Sequence, residues 1–564
     1  MSDSKKKYNL CLDIGTTNIR CAICDPENKN KIVTIVYEKL DTLYLDNGCV
    51  EINPQHLWTQ IVSLIKKCLA SSSIPIEQIS ALGISAQRNT FVTWDRTSGE
   101  EFHNLIVWKD LRANDLVETY NKSWMLWGLN VGSKLLYYVT AQTRFLAGSV
   151  LKFMNGQVTL RLLWILSNNP DVKKNLLDNN VLFGTLDTWL IYKLTQGSRH
   201  VTDVSHASCS GLYDPFTLSW ADWALKMFRL PRFILPEVVG SRCTDGEFGV
   251  VHASVLGREI PIICSMADQS AAMFGLSCYR EGDIKVTLGT GSFMDVNTRN
   301  KPHASIAGLY PLVGWRSSTL SSSLVYLVEG STYDTGTLIE WGRTIGLYRD
   351  VEETSALASS VDSSEGVVFC PAFSGLQAPI NDPTATAGFL GVSPKTRREH
   401  LVRALLESVA FRVQQMYETV LSETRYHFSC IKVDGGTSRN NFLCQLIADL
   451  TQLRVLRPSQ AESSILGIAN MISNGERGQN HGWSQGKESR SNLIKRRGRE
   501  EKGDGDGKDG RGEKALGTGD EGYAEDINED EDVTEFTPRP DEYDKIMPVF
   551  RKWETELRRF QHWT

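Results

Sequence analysis

The feature that most constrains the fold is a pattern that occurs twice: a β-prone run, a turn of glycine and hydroxyl residues, and a second β-prone run. The copies are YNLCLDIGTTNIRCAICD, with the turn Gly15-Thr16-Thr17, and DIKVTLGTGSFMDVNT, with the turn Gly289-Thr290-Gly291. A single copy is weak evidence, because many hairpins turn on glycine. Two copies, each opening one half of the chain, predict two related α/β domains whose turns lie on facing walls of one cleft.

Length and composition agree with this division. A chain of 564 residues is too long for one ordinary domain of about 100–200 residues, and 41% hydrophobic residues suffice for sizeable cores. The formal net charge of −6 is mild and predicts no nucleic-acid partner. Cys21 and Cys24 form the only CxxC. They lie in an apparent strand that would point them to opposite faces, so we expect buried thiols rather than a zinc or redox site.

The two ends of the sequence bear on its location. The N-terminal stretch MSDSKKKYNLCLDIG lacks the apolar core of a signal peptide, and the C-terminal ELRRFQHWT is not a hydrophobic tail anchor. No apolar run reaches the roughly 18 residues of a membrane helix. We therefore expect a cytoplasmic protein without an integral membrane segment. The sequence leaves open a homo-oligomer and protein partners.

Strand-like and helix-like stretches alternate along most of the chain. ISALGISAQRNTFVTWD predicts strand, polar turn and strand, HLVRALLESVAFRVQQMYETVL predicts a long amphipathic helix, and FSCIKVDGGTSRNNFLCQLIADL predicts strand, glycine turn and helix. Residues 474–535 are rich in glycine and charged residues, which predicts a disordered insert. After it, FTPRPDEYDKIMPVFRKWETELRRF predicts a helix that packs one apolar face.

Candidate phosphate-binding groups cluster at the two turns. Backbone N–H groups and threonine hydroxyls bind phosphate oxygens, and glycine permits close approach of the backbone. The donors of this kind are Thr16, Thr17, Asn18, Thr290 and Ser292. Asp13 ends the strand before the first turn. A carboxylate there suits Mg²⁺ beside a phosphate, although a turn-initiating aspartate explains it equally well.

Two further segments carry candidate chemistry. Gly435-Gly436, between a predicted strand and a predicted helix, would let a ligand lie flat against backbone, although any tight strand–helix connection can need such a pair. Asp268 and Gln269 stand between the apolar strand IPIIC and the small-residue helix start SAAMFG. Asp268 has two interpretations, a helix N-cap or a general base that accepts a proton from a substrate hydroxyl.

Nine motifs occur in the order found in one enzyme family. They are DIGTTNIR, ISAQRNTFVTWD, NLIVWKDLRA, LFGTLDTWLIYKLTQG, HVTDVSHAS, MADQSAAMFG, TLGTGSFM, PAFSGLQAP and VDGGTSRNNF. With them the chain resembles the FGGY carbohydrate kinases, and among these the glycerol kinases. The resemblance implies an α/β fold of two ribonuclease-H-like (actin/hexokinase-type) domains that flank a cleft for ATP and substrate. It places these domains at 8–279 and at 280–470 plus 536–564.

The resemblance also implies roles for single residues. Asp268 would be the catalytic base, and Mg²⁺ would lie near Asp13 and Asp268. The contacts to a small polyol would be Thr16, Arg88, Asn89, Trp108, Asp268 and Gln269. The contacts to ATP would be Thr16, Thr17, Asn18, Arg20, Thr290, Gly336, Glu340, Gly436 and Asn440.

The chain departs from the family pattern in three places. Asn89 follows Arg88 where glycerol kinases have a glutamate, and GSVLKFMNGQVTLRLLW lacks a tyrosine that contacts substrate in the family. Lost hydrogen-bond partners weaken the binding of a hydroxylated ligand, so glycerol itself is open. After SQAESSILG, a small-residue helix of the family is expected to be replaced by IANMISNGERG and the charged stretch.

Three functions follow as hypotheses. The first is an active polyol kinase that converts ATP and glycerol to ADP and glycerol 3-phosphate. The second is a catalytically weak or silent member that binds nucleotide or a protein partner. The third is an actin- or chaperone-like ATPase, which the SAQR and MADQ motifs disfavour. The intact residues Asp13 and Asp268 and both threonine turns favour the first.

Overall fold

The computed structural model describes residues 6–317, 324–460, 462–474 and 533–561. The strands of the first half are β1 (Tyr8–Ile14), β2 (Asn18–Asp25), β3 (Lys31–Lys39), β4 (Leu43–Tyr44), β5 (Val50–Ile52), β6 (Ile79–Ala86), β7 (Phe91–Asp95), β8 (Leu105–Ile106), β9 (Val181–Thr185), β10 (Val201–Asp203), β11 (Tyr213–Asp214), β12 (Ser219–Trp220), β13 (Glu237–Val239), β14 (Val250–Val251) and β15 (Ile260–Ala267). Its helices are α1 (Pro54–Ser72), α2 (Asn114–Asn121), α3 (Trp124–Thr140), α4 (Thr143–Ser149), α5 (Val158–Asn168), α6 (Pro170–Leu177), α7 (Leu186–Leu194), α8 (Val204–Cys209), α9 (Asp222–Phe228), α10 (Ala253–Leu256) and α11 (Asp268–Gly275).

The second half has fewer strands and longer helices. Its strands are β16 (Ile284–Leu288), β17 (Ser292–Arg299), β18 (Tyr310–Arg316), β19 (Leu324–Thr332), β20 (Val368–Cys370), β21 (Gly388–Leu390), β22 (Cys430–Asp434), β23 (Arg454–Pro458) and β24 (Val533–Phe536). Its helices are α12 (Gly336–Thr344), α13 (Glu353–Ser359), α14 (Arg398–Glu423), α15 (Asn441–Thr451), α16 (Ser463–Asn474) and α17 (Pro540–Leu557). Among the described residues, no helix combines the length and the apolar character needed to cross a membrane.

Each half is built on one large mixed sheet, and the two sheets share a pattern. The first has the order β14-β15-β6-β1-β2-β3 and the second the order β18-β19-β17-β16-β22-β23-β24. In each, antiparallel strands form a meander (β1-β2-β3 and β16-β17-β19), and two parallel strands follow on the other side (β6-β15 and β22-β23). The predicted duplication is therefore confirmed, with β1-β2 and β16-β17 as the two hairpins.

The hydrophobic core of each half is covered by helices whose apolar residues match their sheets. In the first half, α1 buries Leu57, Ile61, Leu64 and Ile65, which recur at helical spacing. It begins at Asn53, whose side chain accepts a hydrogen bond from the His56 N–H at 2.9 Å. In the second half, α14 is buried along most of its length, because other elements cover several of its faces. The predicted long helix is thus confirmed, but it is a core helix rather than a surface one.

The predicted replacement of the small-residue helix is wrong. Residues 463–474 form α16, which packs against α11 and buries Ile465, Ile468 and Met471. A Cβ at Gly467 would lie 1.8 Å from the Ala271 carbonyl oxygen, so only glycine allows this approach. The sequence SSILGIANMISN thus supplies the helix that the resemblance implies, with larger apolar residues around its glycine.

The C-terminal segment completes the second half. Val533–Phe536 pairs antiparallel with β23, so the predicted insert ends earlier than residue 535. Most of the predicted insert over 474–535 lies outside the described residues. The predicted apolar face of α17 is confirmed: Phe550, Trp553, Leu557 and the following Phe560 are buried in the second core.

Candidate active site

A cavity of about 1430 Å³ is lined by both glycine–threonine turns, which confirms that they face a common cleft. Residues of both sheets contribute to its wall. The predicted site residues that line it are Asp13, Thr16, Thr17, Asn18, Arg20, Arg88, Asn89, Trp108, Asp268, Gln269, Thr290, Gly336, Glu340 and Gly436.

Asp268 lies where β15 ends and α11 begins. The N-cap residue of α11 is Ala267, and Asp268 Oδ1 accepts a hydrogen bond from the Gln269 N–H at 2.8 Å. The carboxylate is 23% exposed, and its Oδ1 lies 3.7 Å from Arg88 Nε. Burial raises the pKa of Asp268, while Arg88 opposes the rise. Asp268 is therefore the first residue of α11 rather than its N-cap, and it lies at the cavity wall beside Arg88.

Arg88 is held between two carboxylates and an aromatic ring. Its Nη2 lies 2.6 Å from Glu329 Oε2, and its guanidinium lies 5.4 Å from the centre of the Phe293 ring. Burial raises the pKa of Glu329 to about 8, although Arg88 lowers it. Glu329 lines the cavity from β19 and was not predicted. Within the run LVYLVEGST it has no motif of its own, and only the inward orientation of its strand places it at the site.

Gln269 is oriented by a buried lysine that was also not predicted. Lys285 Nζ donates to Gln269 Oε1 at 2.6 Å and lies 2.9 Å from Asp295 Oδ2. The lysine side chain is fully buried, where an unpaired ammonium would be strongly disfavoured. These contacts fix the amide of Gln269 at the cavity wall.

An aromatic wall closes the cavity beside the first turn. The Trp108 indole N–H donates to Thr16 Oγ1 at 3.1 Å. Its ring meets Phe293 and Tyr333 edge to face, with centroid distances of 6.2 and 5.8 Å. Trp108 thus forms part of an aromatic wall of the cavity, and its polar edge positions the threonine of the turn.

Asp13 and Arg20 form a charged group beneath the first turn. Arg20 Nη1 donates to Asp13 Oδ2 at 2.9 Å, and Arg20 Nε lies 2.9 Å from Glu462 Oε2. Asp13 Oδ1 is buried without a hydrogen-bond partner in the described part of the chain. A buried, unpaired carboxylate oxygen that faces a cavity suits a cation.

The second turn and the glycine pair form a wall made largely of backbone. Gly435 has φ +87°, and a Cβ there would lie 2.5 Å from the Leu288 carbonyl oxygen. Gly436 meets nothing within 4 Å and is exposed at the cavity. Beside them, the Gly336 N–H donates to the Gly289 carbonyl at 3.0 Å, which ties the start of α12 to the turn.

Two predicted residues stand differently from the rest. Asn440 is not among the residues that line the cavity. Its Oδ1 accepts from the Leu443 N–H at 3.0 Å and caps α15, while its Nδ2 donates to Thr354. Asn89 has φ +61°, a left-handed conformation that asparagine tolerates well, and its Oδ1 is buried without a partner among the described residues.

A buried group of Asp187, Asp203 and His206 has the spacing of metal ligands but is saturated with hydrogen bonds. His206 Nδ1 lies 2.8 Å from Asp203 Oδ1, and its Nε2 lies 3.2 Å from the Ala86 carbonyl oxygen. Both neighbours are acceptors, so the ring carries both protons. Although burial lowers it, the two carboxylates raise the pKa of His206 to about 9. The ring therefore offers no lone pair to a metal ion.

This arrangement of two related domains around a glycine- and threonine-lined cleft is that of a kinase. Family models for the N-terminal and C-terminal domains of the FGGY family of carbohydrate kinases match residues 8–275 and 284–472. The chain therefore belongs to the FGGY family of carbohydrate kinases, as its motifs indicate. It is accordingly a phosphotransferase of the sugar- and polyol-kinase type that uses ATP.

Similar proteins agree with this assignment. The chain is 45% identical over 465 residues to glycerol kinase 5 of Danio rerio, covering 82% of this chain and 86% of that protein. It is 37% identical to a glycerol kinase of Haloferax volcanii, with 83% and 89% covered. A crystal structure of Plasmodium falciparum glycerol kinase with ADP aligns with a TM-score of 0.71 at 27% identity, covering 83% of this chain and 90% of that one.

Proposed function

We propose that this protein transfers the γ-phosphoryl group of ATP to a terminal hydroxyl of a small polyol, with glycerol converted to sn-glycerol 3-phosphate. The observation that carries the proposal is the Asp268 carboxylate, 3.7 Å from the Arg88 guanidinium on the wall of the cavity that both threonine turns line. A carboxylate, a cation and phosphate-binding turns in one cavity suit hydroxyl phosphorylation better than hydrolysis alone.

In this reaction the substrate hydroxyl oxygen forms the new bond to the γ-phosphorus, and the bond to the β,γ-bridging oxygen breaks to release ADP. Asp268 Oδ accepts the hydroxyl proton. Burial raises the pKa of Asp268 and so strengthens it as a base, while Arg88 opposes the rise and favours the ionised carboxylate. Most of the rate then comes from positioning, because phosphoryl transfer needs little covalent help from the protein.

Glu329 can supply the hydrogen-bond acceptor for a polyol that the chain lacks at Asn89. Glu329 lines the same cavity and is paired with Arg88, so its carboxylate can accept from a substrate hydroxyl where family members use the glutamate after the arginine. Tyr333, edge to face with Trp108, brings a tyrosine to the cavity from the second half of the chain. We propose that the hydroxyl-binding groups have partly moved from the first domain to the second.

ATP binding falls to the two turns and the glycine pair. Thr16, Thr17, Asn18, Arg20 and Thr290 would hold the phosphates, and Gly436, Gly336 and Glu340 the nucleoside, all of them at the cavity. Asn440 acts indirectly, by capping the helix behind the glycine pair.

Mg²⁺ fits the cavity, because Asp13 Oδ1 is a buried carboxylate oxygen with no other partner in the described chain. Asp13 and Asp268 would hold the ion, which when bound neutralises charge on the phosphate oxygens. Arg20 donates to the other carboxylate oxygen, Oδ2, and so leaves Oδ1 without a partner. For a kinase of this type we propose a cytoplasmic location.

ADP release in the presence of a panel of polyols and sugars tests the proposal. Glycerol or another small polyol should stimulate release, and the Asp268→Asn variant should abolish that stimulation. If ADP binds and no member of the panel is phosphorylated, the chain is a nucleotide-binding regulatory protein instead. If release is rapid without any acceptor, it is an ATPase.

A further inference from the structure

Helix α3 exposes an apolar face outside the cleft. Trp124, Trp127, Leu135 and Tyr138 are 85%, 68%, 62% and 73% exposed, and Val131 lies between them. Their spacing of three and four residues places them in one continuous stripe along the helix. We call these five residues the α3 stripe. A stripe of large apolar side chains on a helix in water requires a partner.

The side of α3 opposite the stripe packs against the rest of the protein. Asn130 Nδ2 donates to the Leu151 carbonyl at 3.3 Å, and α4 packs so closely that a Cβ at Gly148 would lie 2.8 Å from Ser133 Oγ. Leu126 is the one fully buried residue of α3. The stripe is therefore the solvent-exposed side of α3.

The segment of sequence that contains α3 carries only positive charges. No Asp or Glu occurs between Glu118 and Asp171, although the whole chain carries a net charge of −6. Lys134, on α3, and Lys152 are exposed, and neither has an ion-pair partner among the described residues. A surface of tryptophan, tyrosine and leucine flanked by lysines is complementary to an anionic lipid headgroup layer.

A second copy of the chain fits less well. Two α3 stripes in contact would bring lysines of both copies together without a carboxylate from this segment. Five side chains are also far fewer than the roughly 20–30 residues per side of a stable protein interface. Helix α3 would lie along a bilayer rather than across it, because its other side packs against α4.

We infer that the α3 stripe binds the headgroup region of an anionic lipid bilayer and holds the kinase at a membrane surface. Tryptophan and tyrosine favour this depth, with the ring in the acyl boundary and the polar edge among the headgroups. Lys134 contacts the anionic headgroups beside the stripe.

Vesicle flotation of the full-length protein tests the inference. The wild type should float with phosphatidylcholine vesicles that contain phosphatidylserine. A much smaller fraction of the protein should float with pure phosphatidylcholine vesicles. The double variant Trp127→Glu/Leu135→Glu should lower the bound fraction at least about tenfold. Lys134→Glu should lower it about fivefold on the anionic vesicles alone. Leu177→Glu, at a residue 86% exposed on α6, is the matched control and should bind like the wild type.

Two outcomes would overturn the inference. One is no flotation of the wild type with anionic vesicles. The other is flotation that the double variant leaves unchanged. ADP release in solution reports whether each variant is folded, and Trp124→Ser/Tyr138→Ser replaces the double variant if that one fails to fold. A wild-type dimer that the double variant converts to monomer, without vesicle binding, would assign the stripe to a second copy.

Discussion

The two ends of the cleft are built in different ways. Where ATP is proposed to bind, the wall consists of turns and glycines, and Gly435 and Gly436 present backbone to the cavity. Where the polyol is proposed to bind, the wall consists of charged and aromatic side chains, among them Arg88, Glu329 and Asp268. We call the first wall the backbone end of the cleft and the second the side-chain end. The backbone end suits a ligand that is common to a whole family. At the side-chain end, single substitutions can change which ligand binds.

The largest expected effect is at the side-chain end. Asp268→Asn should lower kcat about 10²–10⁴-fold, because an amide cannot accept the hydroxyl proton. ADP affinity, measured by calorimetry, should change little, since the backbone end is untouched. Asp222→Asn, at an exposed aspartate, is the control. If the Asp268→Asn variant keeps most of its turnover, Asp268 is not the general base.

The second largest effect is expected at the ion pair between Arg88 and Glu329. Above the raised pKa of Glu329, Arg88→Met should lower the free energy of unfolding by about 3 kcal/mol, because it leaves the ionised Glu329 carboxylate buried without its cation. The double variant Arg88→Met/Glu329→Met should recover much of that loss in thermal melts, because the buried carboxylate of Glu329 is then absent. Equal destabilisation in the single and double variants would show that the pair is not a coupled unit.

The backbone end gives a paired test on adjacent glycines. Gly435→Ala should destabilise the free protein by about 1–3 kcal/mol, because alanine is disfavoured at φ +87° and its Cβ would meet the Leu288 carbonyl. Gly436→Ala should leave the melting temperature unchanged, since open space surrounds it, yet lower the affinity for ADP. An unchanged ADP affinity in Gly436→Ala would show that the nucleoside does not contact this glycine.

The smallest effect is expected at Asn89. Asn89→Glu should lower the KM for glycerol about fivefold by adding a hydrogen-bond acceptor, and Asn89→Gln is the control for side-chain length. The same change should cost about 1 kcal/mol of stability, because glutamate tolerates φ +61° less well than asparagine. An unchanged or raised KM would point to a substrate other than glycerol.

The same contrast explains what the sequence could predict. The backbone end follows from local patterns, since strand–glycine–strand and strand–glycine–helix segments carry their own signals. At the side-chain end, Asp268 and Gln269 have a motif, but Glu329 and Lys285 reach the site only through the pairing of distant strands. The prediction for α16 failed because a local change of composition obscured Gly467, whose role depends on the carbonyl of Ala271 far away in the sequence.

The central claim is that this cleft transfers phosphate to a polyol hydroxyl rather than to water. Phosphorus NMR of the products formed from ATP, Mg²⁺ and glycerol measures this directly. We expect ADP together with a phosphomonoester of a terminal glycerol carbon, and loss of that ester with Asp268→Asn. ADP accompanied only by inorganic phosphate, in the same amount with and without glycerol, would contradict it.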